Sequence, residues 1–139
     1  MKDTLDEYIE FHRKNSGTGK LFKFKFLDYK EGYLELEGEF NEFSLNPDGS
    51  VQGGMMTSML DDVTCLLIIF ETKGQIYPAS TDLHSLHHRP LFKGRVRAKA
   101  TLIRKGKNIA SIKGELFDKE GRVATTLMHT AYLVQKPIK

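Results

Sequence analysis

The chain has 139 residues, a common size for one domain, and 40% of them are hydrophobic, which is enough to bury a core. A single cysteine excludes a disulfide within the chain, and the charged start from Met1 to Glu7 is unlike a signal peptide. The apolar run from Cys65 to Phe70 is far shorter than the ~20 residues that cross a membrane. We therefore expect one domain over residues 1–139, located in the cytoplasm.

The charge is distributed unevenly along the chain. Residues 1–75 contain 8 Lys and Arg against 14 Asp and Glu, whereas residues 76–139 contain 13 against 4, for an overall charge of +3. A basic second half suggests an anionic ligand, and nucleic acid is one candidate. However, the basic residues between Arg95 and Lys99 alternate with small apolar ones, as on an ordinary solvated strand face. We expect no nucleic-acid partner.

A short helix and a hairpin are predicted first. Leu5, Tyr8, Ile9 and His12 share one helical face until the polar stretch at residues 15–17. Alternating apolar and charged residues then predict strands over residues 22–26 and 34–40, joined by a turn at residues 28–32.

The segment from Asn46 to Asp62 is the most informative part of the sequence. Its Pro-Asp-Gly turn is followed by Gly53 and Gly54, which allow close approach of the backbone to a ligand. From Met55 to Lys73 there is no Pro or Gly, which predicts a long helix. The free N–H groups and partial positive charge at its start could stabilise a carbonyl oxygen that becomes negative. Gly53 and Gly54 are therefore candidate oxyanion donors.

Two adjacent carboxylates, Asp61 and Asp62, follow in this largely apolar helix. Burying a carboxylate among apolar side chains is costly, so a functional role is one interpretation and a solvated stripe is the other. Consecutive helical residues are rotated by about 100°, so only one of the two can face a given cleft.

Four strands are predicted after the helix, near residues 79–88, 95–104, 108–117 and 123–134. A helix that is apolar nearly all round requires a sheet wrapped around it. The sequence thus predicts an α+β fold, with an antiparallel sheet around one long helix and a short N-terminal helix.

The histidines and the cysteine allow other chemistry to be weighed. On a strand His84 and His88 share one face and His87 lies on the other, so we expect no metal site from this segment. Whether His84 and His88 line an interface or a pocket stays open. We expect His129 to be a hydrogen-bonded core or interface residue and Cys65 to be a small core residue.

Asn46, Gln52, Gly53, Gly54 and Asp61 form the pattern Asn-x5-(His/Gln)-Gly-Gly-x6-Asp. This pattern resembles the active-site segment of the hotdog-fold acyl-CoA thioesterases, in the group similar to the phenylacetate-pathway thioesterase. The likeness continues through residues 80–83, 89–90 and the later turns, and covers roughly residues 22–134. Members often carry His where this chain has Gln52.

The resemblance implies hydrolysis of acyl-CoA thioesters without a metal or redox cofactor. The start of the helix at Gly53 would hold the thioester carbonyl, which Asn46 and Gln52 help to orient. Asp61 would act as general base or nucleophile, and Ser80 would help to position the water. Separately, the charge pattern offers a basic hairpin at Arg104, Lys105 and Lys107, which is either a contact for the coenzyme A phosphates or an ordinary solvated turn.

Helix geometry adds that one chain cannot form the whole site. Asp61 follows Gly53 by eight residues, or roughly 12 Å along one helix, and its side chain cannot span that gap. We therefore expect a homodimer with shared sites, and the resemblance adds pairing of the strand at residues 80–88 across the interface and association into a dimer of dimers.

Two other functions fit the same pattern less well. One is a noncatalytic acyl-CoA-binding or sensing protein, against which the intact Asp61 argues. The other is hydration or dehydration of acyl thioesters, which would be expected to use a His with a carboxylate, whereas Gln52 stands where the nearest His would be.

Overall fold

The computed structural model describes residues 2–135, which form three α-helices, one short 3-10 helix at Glu42–Ser44 and six strands. The helices are α1 (Lys2–Asn15), α2 (Gly17–Phe22) and α3 (Gly53–Glu71). The strands are β1 (Lys25–Lys30), β2 (Tyr33–Phe40), β3 (Ile76–His87), β4 (Gly94–Lys105), β5 (Ile109–Phe117) and β6 (Val123–Gln135).

The strands form one antiparallel sheet in the order β1-β2-β4-β5-β6-β3, and α3 packs on it. Side chains alternate between buried and partly exposed along β2 and β5, as expected where one sheet face covers a core. Nine residues of α3 are buried. The predicted architecture of a sheet around a long helix, with a short N-terminal helix, is confirmed.

By length and composition α3 is apolar enough to cross a membrane, with a mean hydropathy of 1.4. Half of it is buried inside the fold, and the core helix of a globular domain passes the same test. Its apolar character therefore follows from its central position against the covered face of the sheet.

The prediction of a strand over residues 22–26 is wrong in its first half. Phe22 ends α2, whose first turn is capped by the Ser16 hydroxyl and whose last turn is closed by Lys23 at a φ of 50°. Phe22 and Phe24 are both buried, with ring centroids 5.9 Å apart. Their alternation with lysines reflects burial of two aromatic rings beside a helix end, and β1 begins only at Lys25.

Strand β3 lies at the edge of the sheet and pairs only with β6 among the described strands. Ser80, Leu83, Ser85 and His87 lie opposite residues of β6 whose side chains are buried, so they share the face that carries α3. The register shifts between Ser80 and Asp82, so Ser80 and Leu83 lie on the same face although they are three positions apart. One sheet edge thus presents a row of side chains beside the central helix.

Candidate active site

Asp61 is the centre of the first polar cluster. Its Oδ1 accepts a hydrogen bond from Ser80 Oγ at 3.0 Å and lies 3.9 Å from His129 Nε2. The side chain is 34% exposed, so the carboxylate is accessible from solvent. Asp62 points elsewhere: its Oδ2 lies 3.5 Å from His12 Nε2 on α1, as the helical rotation requires. The geometry therefore favours Asp61 over Asp62 as the functional carboxylate.

His129 connects this cluster to the core. The ring is fully buried, with Nε2 2.8 Å from Ser80 Oγ and Nδ1 2.7 Å from Thr64 Oγ1. Burial lowers the pKa of His129, and the nearby Asp61 charge raises it by less, so the ring is neutral at pH 7. The expectation of a hydrogen-bonded core histidine is confirmed.

The hydrogen positions in this network follow from the charge on Asp61. A hydrogen bond to an ionised carboxylate is stronger than one between neutral groups, so Ser80 donates to Asp61. Ser80 then accepts from the Nε2–H of His129. Thr64 Oγ1 lies 2.7 Å from Nδ1 and 2.8 Å from the Leu60 carbonyl oxygen, so two acceptors share its single hydrogen. The sequence analysis missed Thr64, although a hydroxyl three residues after Asp61 on a helix lies on the same face.

Cys65 completes the surroundings of Asp61. Its Sγ lies 3.6 Å from Asp61 Oδ1, and burial, followed by the Asp61 charge, raises the pKa of the thiol. The protonated thiol is a poor nucleophile. Cys65 is partly buried, so the prediction of a core residue is correct only in part.

A cation could be considered at this cluster. Asp61, Cys65 and His129 each offer one ligand atom, and these atoms lie within 4.8 Å of one another. However, His129 Nε2 is bonded to Ser80 and the thiol is protonated, so two of the three groups would first have to change. The absence of a metal in the reaction stays a prediction.

The second polar cluster is at the start of α3. Gln52 is the N-cap residue, and its Oε1 accepts from the backbone N–H of Met55 at 2.9 Å. The Gln52 carbonyl accepts from Met55 and Met56. Gly53 and Gly54, the first two helical residues, keep N–H groups that have no intrahelical acceptor.

The loop before α3 is fixed by the rest of the fold. Val51 N–H donates to the Leu91 carbonyl at 2.8 Å, and Gln52 N–H donates to the Ser44 carbonyl at 2.8 Å. Asn46 opens the predicted turn, and its amide donates to Ser50 Oγ at 3.3 Å. Asn46 and Gln52 therefore lie on the segment leading into Gly53.

His87 is a neighbour of Gly53 that the sequence analysis did not assign to the site. A Cβ atom on Gly53 would lie 3.2 Å from His87 Nε2, so a side chain at position 53 would crowd this ring. The sequence interpretation considers this segment as a metal site, an interface or a pocket wall, but assigns no role to His87. The alternation of β3 alone does not show which side chain reaches the start of α3.

The two clusters form two half-sites that are separate within one chain. Gly53 and Asp61 are about 12 Å apart along α3, and Ser80 and His87 are about 23 Å apart along β3. The structure brings Asp61 together with Ser80, and it brings Gly53 together with His87.

The predicted phosphate-binding residues are exposed at the tip of the β4–β5 hairpin. Lys105 on β4 lies opposite Ala110 on β5, Ala110 lies opposite Ala131 on β6, and Ala131 lies opposite Ser80 on β3. Strand β4 is therefore three strands away from the β3 edge. Several basic residues also line a cleft of about 340 Å³ beside the loop that holds Val51. This cleft includes Arg89, Phe92, Arg95 and Arg122.

Comparison with known proteins identifies relatives over most of the fold. The model of the thioesterase superfamily matches residues 48–125, a span that contains Gly53, Asp61, Ser80 and His87. None of the curated proteins that were compared matches the chain.

Three solved structures illustrate the similarity. A phenylacetic acid degradation-related protein of Ralstonia eutropha JMP134, described as a candidate thioesterase, is 27% identical with a TM-score of 0.82, over 93% of this chain and 98% of that one. The PaaI protein of the E. coli phenylacetic acid degradation operon is 15% identical with a TM-score of 0.83, over 99% of both chains. A Streptococcus mutans protein solved with acetyl CoA is 13% identical with a TM-score of 0.73, over 83% of this chain and 91% of that one. The hotdog fold and the likeness to the phenylacetate-pathway group are confirmed.

Proposed function

Because the chain belongs to the thioesterase superfamily, we propose that it hydrolyses acyl-CoA thioesters to the free acid and coenzyme A. The observation that carries the proposal is the accessible Asp61 carboxylate, held by Ser80 and backed by the buried His129. Coenzyme A as the carrier is supported by the similar Streptococcus mutans protein, which was solved with acetyl CoA.

In the proposed reaction, water attacks the thioester carbon while Asp61 takes a proton from it. The carbonyl oxygen becomes negative and is stabilised by the N–H of Gly53 at the positive end of α3. Collapse of the tetrahedral intermediate breaks the carbon–sulfur bond, and the thiolate receives the proton. Direct attack by Asp61, with water hydrolysing the resulting anhydride, gives the same products.

A homodimer is the second part of the proposal. If two β3 strands pair antiparallel about their middle, near Leu83, Ser80 of one subunit comes beside His87 of the other. Asp61 is bonded to Ser80, and Gly53 lies beside His87, so this pairing would bring together the two half-sites. The exposed edge of β3 also needs a partner or a cover, because it presents unpaired backbone groups.

Association of two dimers is supported by an apolar patch on the outer face of the sheet. Four side chains there are 38–55% exposed: Leu86, Ile109, Met128 and Tyr132. Ile109 and Tyr132 lie opposite each other on β5 and β6, and exposed apolar patches mark interaction sites.

The test of the proposed function is a turnover screen with short, aryl and long-chain acyl-CoA esters. The Asp61→Asn variant keeps the shape and removes the basicity, so kcat should fall by ~10² to 10⁴. Asp62→Asn, which alters the adjacent carboxylate on the α1 side, is the matched control and should keep its kcat. If the wild type and the control both bind acyl-CoA but do not hydrolyse it, the protein is instead a noncatalytic acyl-CoA-binding protein.

A further inference from the structure

His87 lies at the end of β3 with the Nε2 edge of its ring against the first residue of α3. The Cβ position of Gly53 is 3.2 Å from Nε2 and 3.4 Å from Cδ2. A 2.6 Å hydrogen bond between the hydroxyls of Thr57 and Ser85 also holds the first turns of α3 against this part of β3. The ring therefore lies beside the start of α3, where the Gly53 N–H would bind a carbonyl oxygen.

The other side of the ring is held by a buried threonine. His87 Nδ1 lies 3.1 Å from Thr125 Oγ1, which has no solvent exposure and also lies 3.4 Å from Met56 Sδ. Thr125 has one hydrogen, and a thioether is a weak acceptor compared with an imidazole nitrogen. Donation of that hydrogen to Nδ1 would leave the proton of the neutral ring on Nε2, which is the tautomer that the inference requires.

The ring is neutral at pH 7. Burial, followed by the charge of His88, lowers the pKa of His87. An imidazolium at this position would also be repelled by the positive end of α3, whereas a neutral N–H donor is not.

We propose that His87 is a catalytic residue whose Nε2–H donates a hydrogen bond to the thioester oxygen bound at Gly53. This inference rests on the proposed function and deepens it by adding a second oxyanion donor. It also places an imidazole near the Gly pair, although the residue directly before that pair is Gln52 and not the His that similar enzymes often carry. Because Gln52 Oε1 caps Met55, the Gln52 side chain is already committed to the helix start.

The kinetic test compares three variants of the full-length protein on the best acyl-CoA substrate. Removal of one oxyanion donor costs about 10² to 10³ in kcat, so His87→Phe should lose that much with little change in KM. His87→Gln, which keeps a side-chain N–H, should lose less. His88→Phe is the matched control, because His88 is the next residue and makes a parallel 3.0 Å contact with Thr126; its kcat should match that of the wild type.

A second measurement does not depend on activity. Proton–nitrogen NMR of the imidazoles should show the Nε2–H tautomer for His87 in the wild type and a mixture of tautomers in Thr125→Val. The Nδ1–H tautomer in the wild type overturns the inference, as does a folded His87→Phe protein with wild-type kcat. If His87→Phe does not fold, His87→Gln and the NMR measurement decide. A wild type that hydrolyses no acyl-CoA overturns the proposed function as well, whereas an active wild type with an unaffected His87→Phe variant overturns only this inference.

Discussion

At the scale of residues, the site depends on how one carboxylate is held. Asp61 lies on a helix whose buried positions are apolar apart from Thr64. Ser80 supplies the hydrogen bond that makes an ionised carboxylate tolerable there, and His129 in turn bonds Ser80. The proposed role of Asp61 follows from its spacing to the Gly pair. Thr64 and His129 are separated by 65 positions in sequence, so their contact could not be predicted without the strand register that brings them together.

The buried imidazole of His129 should make stability depend on pH. Its folded-state pKa is depressed below the usual 6.5, so below that pH the unfolded chain takes up the proton more readily than the folded chain. The free energy of unfolding should therefore fall as the pH decreases from 6.5 through the folded pKa. Urea unfolding at several pH values between 7.5 and 5 measures this.

His129→Gln is the control for that prediction, since it removes the titrating group but keeps polar atoms near Ser80 and Thr64. Its stability should be lower at pH 7.5 and should decline less between pH 7.5 and 5. Equal declines in the two proteins would show that other groups, including His87, cause the pH dependence.

At the scale of elements, α3 and β3 carry the site between them. The long helix, its start at the Gly pair and the four later strands could be predicted from apolar periodicity and turn residues. The end of α2 at Phe22 could not, because two alternating buried phenylalanines fit either a strand or a helix terminus. The nearness of His87 to Gly53 is likewise set by how β3 crosses α3, which periodicity does not encode.

The edge position of β3 leads to a prediction about assembly. Leu83 is 37% exposed on the α3 side of β3, midway between Ser80 and His87. If two β3 strands pair there, Leu83→Lys should place two charges in the interface and shift the dimer to monomer, with loss of kcat. Sedimentation velocity measures the assembly state.

Ile103→Lys provides the comparison, because Ile103 is a 54% exposed apolar residue on β4, away from β3. It should leave the dimer intact. A Leu83→Lys protein that stays dimeric and active would exclude the β3 pairing and require another interface.

At the scale of the whole molecule, some basic residues are paired with acidic residues on the neighbouring strand and others project into solvent. The acidic row on β2 is paired with basic residues of β4, with Arg95 and Arg97 2.8 Å and 3.1 Å from Glu37 and Glu35. These arginines have local partners, whereas the tip of the β4–β5 hairpin projects Arg104, Lys105 and Lys107 into solvent. The hairpin therefore remains the predicted contact for the coenzyme A phosphates.

Replacement of these three residues with Gln should raise KM for acyl-CoA with a smaller change in kcat, and the difference should shrink at high salt. An acyl-pantetheine substrate, which lacks the nucleotide, should be unaffected. The control removes the same number of charges at Lys14, Lys20 and Lys23, on the α1–α2 side. An unchanged KM in the hairpin variant would direct attention to Arg89 and Lys119 in the cleft beside the Val51 loop.

The central claim is that each active site combines Gly53 of one subunit with Asp61 of another, and subunit mixing tests it most directly. Asp61→Asn removes the base, while Gly53→Pro removes the N–H and suits the first helical position. Gly53→Ala keeps the N–H and controls for the added carbon beside His87. Each of Asp61→Asn and Gly53→Pro should be inactive alone.

When these two variants are refolded together, a mixed dimer contains one site with both groups intact and one site that is doubly damaged. Random pairing makes half of the dimers mixed, so about a quarter of the wild-type activity should return. Verified mixed dimers that remain inactive, although both variants are folded, would contradict the shared site.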